Sequence, residues 1–241
     1  MNEKEFSDIL LKAFNDNGLR NRINDISANK LYQFSKILVE TNKIFNLTSI
    51  TEEKEIILKH FVDCARVLNH IPSNTSLIDV GCGAGFPSLP IAILRDDIEV
   101  TSLDSTAKKI GFINSVAKEL SLENIVGVVM RAEEFAKANR EKYDVSISRA
   151  VARLNILDEL CIPLTKNGGL FIAMKSNKGE EEYNEASNGI YKLGASLEKQ
   201  EIINLSLDDR TIEREIYVFR KIKQTPPQYP RNYSQIIKKP L

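Results

Sequence analysis

Beyond Pro72, short apolar runs and amphipathic stretches follow one another in turn, and this alternation restricts the fold more than any other feature of the chain. Residues 76–80, 99–104, 125–130, 143–148 and 170–175 read as strands. The stretches near 87–94, 108–120, 133–140, 154–165 and 179–192 read as helices. Repeated βα units of this kind build a parallel sheet with helices on both faces. Two further strand-like runs, 199–205 and 214–222, flank the turn-like Asp208-Asp209-Arg210. They are expected to form a hairpin, which brings the sheet to seven strands and makes the last one antiparallel.

Residues 1–71 show helical spacing instead. Phe6, Ile9, Leu10, Ala13 and Phe14 form one apolar stripe, which Asn15-Asp16-Asn17-Gly18 ends. A second helix is expected to start near Ser27 and to bury Leu31, Phe34 and Leu38. A third is expected to follow Thr51 as N-cap, with Glu52 and Glu53 in its first turn and Ile57, Phe61, Cys64 and Leu68 as its stripe. Between them, Phe45-Asn46-Leu47-Thr48-Ser49 is too polar for core and too short for an element. The expected organisation is a helical extension over 1–71, an α/β domain over 72–224 and a tail over 225–241.

The chain carries 33 basic and 33 acidic residues, so its charge is balanced overall. The tail region is not balanced. Arg220, Lys221, Lys223, Arg231, Lys238 and Lys239 face no acidic residue between positions 216 and 241. No apolar run reaches the length of a membrane span. Cys64, Cys82 and Cys161 are odd in number and lack metal-ligand spacing, as expected of free thiols in a reducing compartment. The polar, acidic N-terminus is unlike a signal peptide. A cytoplasmic protein without metal or membrane is therefore expected.

The first strand runs into Asp79-Val80-Gly81-Cys82-Gly83-Ala84-Gly85. Glycines there permit positive φ and let a ligand approach the backbone. The carboxyl end of a parallel strand is where open α/β sheets bind ligands. A dinucleotide fingerprint needs a third glycine at position 86, but the chain has Phe86 followed by Pro87. Asp104 ends the second strand, where a carboxylate can accept both ribose hydroxyls of an adenosyl group; Ser105 and Thr106 add hydroxyls. Together with Lys166-Asn167-Gly168-Gly169 before strand five, these features resemble a class I, Rossmann-like methyltransferase that binds S-adenosyl-L-methionine. Ala132 and Glu133 follow strand three, on the adenine side, although Glu133 reads equally as a helix-start carboxylate. Ser148-Arg149-Ala150 follows strand four, where donor methyl and acceptor should meet. Arg149 is the candidate catalytic residue; its blander reading is a surface arginine.

Strand four lacks the Asn/Asp-Pro-Pro-aromatic loop of exocyclic-amine methyltransferases. C5-pyrimidine transfer needs a thiolate, but Cys161 reads as buried and Cys82 lies inside the glycine loop. An acceptor that needs no enzyme base remains, and guanine N7 is one, with its in-plane lone pair. His60 and Asp63, three apart on the third helix, read as a surface pair.

The chain resembles the ribosomal small subunit methyltransferase G family, also called glucose-inhibited division protein B. The resemblance rests on Asn42 with Phe45-Asn46-Leu47-Thr48, Lys59-His60-Phe61-Val62-Asp63, the run Asp79 to Pro87, Asp104 with Lys108-Lys109, Arg131-Ala132-Glu133, Ser148-Arg149-Ala150 and Lys238-Lys239-Pro240-Leu241. Departures are Thr41 where members often have tryptophan, Cys64 for a usual serine and Ser88 for a usual glycine. The resemblance implies methylation of guanine N7 in 16S ribosomal RNA, free or in the small subunit. It also implies cofactor contacts at Gly81, Phe86, Asp104 to Thr106, Ala132-Glu133 and Arg149; Asp79, Gly83 and Gly85 complete the expected cofactor set. Asn46, His60, Arg231, Lys238 and Lys239 are the candidate RNA contacts. A small-molecule or protein methyltransferase, or a non-enzymatic RNA-binding protein on the same fold, are the competing readings.

Overall fold

The computed structural model describes residues 1–149, 151–176 and 178–241. Ala150, the last residue of the Ser-Arg-Ala run, lies outside the described residues. Seven strands form one sheet: β1 (Ser76–Val80), β2 (Glu99–Asp104), β3 (Ile125–Val129), β4 (Tyr143–Arg149), β5 (Thr165–Lys175), β6 (Ala195–Leu207) and β7 (Arg210–Lys221). Their order is β3-β2-β1-β4-β5-β7-β6. All neighbours pair parallel except β7, which runs antiparallel to both β5 and β6. The order reverses between β1 and β4, and a crevice opens beyond the carboxyl ends of strands at such a point.

Alternate side chains along each strand feed opposite cores. Leu77, Val100, Val145, Ile147, Ile172 and Val218 face one side. Ile78, Val80, Leu103, Phe171, Ala173 and Tyr217 face the other. The first side is covered by α1 (Glu3–Asp16), α2 (Asp25–Asn42), a composite helix α3 over 53–70, α4 (Ser88–Leu94) and α5 (Ala107–Glu119). The second is covered by α6 (Ala132–Ala138), α7 (Leu154–Cys161), α8 (Gly179–Leu193) and α9 (Tyr233–Lys238). The N-terminal helices therefore share a core with the sheet. Phe34 of α2 joins them to the glycine loop: its ring lies 5.8 Å from Phe61, 5.3 Å from Phe86 and 6.3 Å from Phe112.

Local chemistry moves two helix starts. α2 begins at Asp25 because Asn24 caps it: Ser27 N–H donates to Asn24 Oδ1 at 2.9 Å, and Asn24 N–H donates to Ser27 Oγ at 3.0 Å. Ser27 is thus the reciprocal partner in the cap, three residues in. α3 is capped by Glu52, whose carboxylate accepts Lys54 N–H and Glu55 N–H, and not by Thr51. α3 is also irregular. It is α-helical over Glu53–Ile56, π-helical over Ile57–Val62, α-helical over Asp63–Arg66 and 3₁₀ over Val67–His70. A π turn adds a residue to the helical repeat and rotates the rest of the helix, and such turns concentrate at functional sites.

The tail is more ordered than its composition suggests. Asn232 and Gln235 form a capping box for α9, and Ile236 and Tyr229 are buried. No described helix is long and apolar enough to cross a membrane.

Candidate active site

The loop after β1 is closed by two donors on one acceptor: Gly81 N–H and Cys82 N–H reach Leu103 O at 2.8 and 3.1 Å. Gly81, Gly83 and Gly85 all have positive φ, 74°, 57° and 88°. Their roles differ. A Cβ at Gly83 would meet nothing within 4 Å, so this residue faces open space. A Cβ at Gly85 would strike Leu89 at 2.4 Å, so Gly85 lets α4 pack against the loop.

Asp104 links this loop to α5. Its Oδ2 accepts Gly83 N–H at 3.1 Å and its Oδ1 accepts Thr106 N–H at 2.8 Å. Each oxygen keeps capacity for one further donor, which suits a pair of ribose hydroxyls. Beneath the loop, Asp79 accepts Ser88 N–H through Oδ2, while its buried Oδ1 has no partner among the described residues. Burial, only partly offset by Ser88, pushes the Asp79 carboxyl up to about 7. An orphaned carboxylate oxygen below, two free acceptor positions at Asp104 and a bare glycine backbone fit a zwitterionic adenosyl ligand. The cavity over them has a volume of about 710 Å³, within the ordinary range for small-ligand sites.

Arg149, at the end of β4, crosses this cavity and is held by α3. Nη1 donates to Lys59 O at 3.0 Å and to Asp63 Oδ2 at 3.1 Å; Nη2 lies 3.0 Å from His60 Nδ1. The guanidinium sits 5.2 Å from the centre of the Phe86 ring, and the His60 ring stacks on Phe86 at 4.1 Å. The π turn places the Lys59 carbonyl, His60 and Asp63 on one side of the helix. Guanidinium has no acceptor, so His60 Nδ1 must accept from it. Nε2 then carries the proton and donates to Thr48 Oγ1 at 3.2 Å. Burial, followed by the Arg149 charge, lowers the His60 pKa to about 3, and the ring is neutral. Asp63 is also met by Arg214 of β7 at 3.5 Å, and burial still raises its pKa against the pull of both arginines.

His60 and Asp63 are therefore interior: each is 5% exposed. This corrects the surface-pair reading, and it engages His60 with Arg149 at the cavity wall. Arg149 is likewise mostly buried, not a surface arginine. Asn42 sets the opposite wall. Its Oδ1 accepts Leu47 N–H and Thr48 N–H, and its Nδ2 donates to Thr48 O. The polar run 45–49 thus becomes a fixed rim, with Leu47 and Thr48 lining the cavity and Asn46 exposed.

Gly81, Gly83, Phe86, Asp104, Arg149 and His60 line one cavity; Asp79, Gly85, Ser105, Thr106, Ala132 and Glu133 do not line it. Glu133 is buried, while Ser105 and Thr106 are exposed. Arg231 of the tail forms a two-pronged ion pair with the fully buried Glu159. Lys221 is buried against Glu141, and Arg220 pairs with Glu198. Only Lys223, Lys238 and Lys239 of the six tail cations lack an ion-pair partner among the described residues, so the tail is a smaller anionic-ligand surface than its composition implies. Sequence reasoning missed Asp63 as the shared partner of Arg149 and Arg214, and Lys175 and Glu182 on the cavity wall. Lys175 carried one signal, a charge ending an apolar strand.

Residues 27–212 match the sequence family described as rRNA small subunit methyltransferase G. The chain belongs to that family. It is an rRNA methyltransferase that uses S-adenosylmethionine. Among its relatives, the ribosomal RNA small subunit methyltransferase G of Clostridium botulinum type A is 44% identical, over 98% of this chain and 99% of that one. The enzyme of the same name from Desulforamulus reducens is 45% identical, over 90% and 92%. Among solved structures, M. jannaschii TYW2 in complex with AdoMet is similar with a TM-score of 0.52 at 14% identity, over 66% of this chain and 75% of that one. Bacillus YcgJ reaches 0.52 at 12% identity, over 69% and 100%. At that identity these structures speak for the fold alone.

Proposed function

We propose that this methyltransferase modifies N7 of a guanine in 16S ribosomal RNA, in the cytoplasm. One observation carries the choice of acceptor: among the described residues, the side chains gathered around Arg149 offer no free base. The His60 lone pair faces Arg149, Asp63 is paired, and burial pushes the Cys82 thiol far above its ordinary value. Guanine N7 needs no proton removed, because its lone pair already lies in the base plane. Its lone pair would take the methyl that a bound S-adenosylmethionine supplies, with no proton for a protein base to remove.

When bound, S-adenosylmethionine supplies a methyl activated by its sulfonium. The chain's own residues orient the partners. Asp104 with Ser105 and Thr106 receives the ribose; Ala132 and Glu133 flank the adenine; the glycine loop, with Asp79 beneath it, anchors the polar end beside Phe86. Arg149, held by three partners on α3, marks where the acceptor meets the methyl. Orientation of this kind can supply several kcal/mol of barrier lowering without acid–base help. Asn46 on the rim and Lys238 and Lys239 on the tail are exposed side chains that would meet phosphates of the RNA. A paired base would first have to be splayed out, so an exposed loop guanine is the fitting target.

The test is mapping N7-methylguanosine in 16S rRNA from cells with and without the protein. The reading requires one guanine that loses its methyl when the protein is absent; an unchanged map rejects it.

A further inference from the structure

The far wall of the cavity carries a charged pair that methyl transfer as described leaves without a task. Lys175, the last residue of β5, is buried, with Nζ 2.7 Å from Ala152 O and 2.7 Å from Glu182 Oε2. Glu182, in the first turn of α8, accepts Leu154 N–H at 2.8 Å through the same oxygen. Among the described residues, the third Nζ hydrogen and Glu182 Oε1 have no partner. Withdrawing a lysine–glutamate pair from water is a weak way to stabilise a fold. Both side chains line the cavity. An ammonium hydrogen and a carboxylate oxygen are left side by side for whatever enters.

We propose that this pair reads the acceptor base: Lys175 donates to guanine O6 and Glu182 accepts from guanine N1–H. The proposal rests on the N7 reading above. The order of the two charges favours guanine. Met174 pairs in register with Arg149, so Lys175 stands beside the β4 edge, whereas Glu182 lies on a helix beyond it. Passing round guanine from N7, an acceptor (O6) comes before a donor (N1–H). Adenine presents its N6 donor first. A cation nearer the methyl-transfer side and a carboxylate beyond it match guanine and oppose adenine. Glu182 also acts on the reaction. Methylation at N7 makes the base cationic and its N1–H more acidic, so the bond to Glu182 strengthens as the methyl arrives. Such an interaction assists the transition state more than the ground state.

The test uses the full chain and 16S RNA in which the target guanosine is kept or replaced by 2-aminopurine riboside, which retains N7 but lacks O6 and N1–H. The parent enzyme should prefer guanosine by roughly ten- to hundredfold in kcat/KM. In Glu182→Gln, the amide oxygen takes the place held by Leu154 and Lys175. The amide NH₂ then faces N1–H, donor against donor. Guanosine kcat/KM should fall by a similar factor and the preference for guanosine should collapse, while calorimetric affinity for S-adenosylmethionine is unchanged. Lys175→Gln should also narrow the preference. A preference unchanged in both variants overturns the proposal. So does loss of cofactor binding in both, which would assign the pair to holding the start of α7. A parent enzyme that yields no N7-methylguanosine overturns the N7 reading and this assignment together; a parent that yields it, with unaltered variants, overturns this assignment alone.

Discussion

Arg149 Nη2 lies 3.0 Å from His60 Nδ1, across 89 residues of sequence. The contact ties the end of β4 to the π turn of α3, and it makes the N-terminal helices part of the active site. It also sets the tautomer of His60, and through Thr48 it reaches the rim of the cavity.

Arg149→Lys should fail to replace the native side chain. One ammonium cannot reach the Lys59 carbonyl, His60 and Asp63 in the planar fork that guanidinium provides. We expect about 2–3 kcal/mol lower stability in urea unfolding and a loss of about 100-fold in kcat/KM. Full activity in the lysine variant would remove Arg149 from the site.

His60 predicts the acid limb of stability. Its pKa is about 3 folded and 6.5 as a free side chain. The unfolded chain therefore binds a proton that the native ring refuses. The resulting stability is complete above pH 6.5 and is lost as pH falls towards 3, with a slope of about 1.4 kcal/mol per pH unit from this residue. Urea titrations at successive pH values should show that slope reduced in His60→Gln.

Two glycines separate cofactor binding from folding. Gly83→Ala adds a methyl in open cavity space, so its cost to the apo fold should be only the strain of positive φ, about 1 kcal/mol, while S-adenosylmethionine affinity drops sharply. Gly85→Ala meets Leu89 and should lower the melting temperature more than Gly83→Ala does. Calorimetry with thermal unfolding on both variants decides the matter; equal effects of the two on stability would contradict the assignment.

Asp79 should make cofactor binding depend on pH. Its carboxyl titrates at about 7, raised by burial. Its charge, buried beneath the glycine loop, acts on the cofactor ammonium through the loop, so affinity weakens as pH falls below 7, by up to about tenfold per unit. Asp79→Asn should flatten that profile, and a parent profile that is already flat would exclude the coupling.

The tail predicts two separate effects. Replacing both Lys238 and Lys239 with alanine should lower the slope of log affinity for RNA against log salt by about 1.5. Arg231→Ala should instead cost about 3–5 kcal/mol of stability, because it leaves Glu159 buried and unpaired. An Arg231 variant of parental stability that binds RNA less well would reverse these roles.

Periodicity and short-range chemistry alone determined the strands, their alternation with helices, the hairpin at the end and the glycine loop with Asp104. Those features are local: a pleat repeats every second residue, a turn needs glycine where φ is positive, and a strand end carries its carboxylate wherever the sheet goes. What lay beyond the sequence was long-range. Nothing within a few residues of His60 and Asp63 reveals that a π turn will rotate them inward, or that Arg149 will arrive from β4 to occupy them. Arg231 reads as a free cation until the fold brings Glu159, 72 residues away, to within 2.6 Å. Lys175 reads as a strand terminus until α8 sets Glu182 beside it. Charge is written in the sequence, but its partner is chosen by packing, and the partner decides whether a charged residue binds a ligand, holds another side chain or secures the chain's own tail.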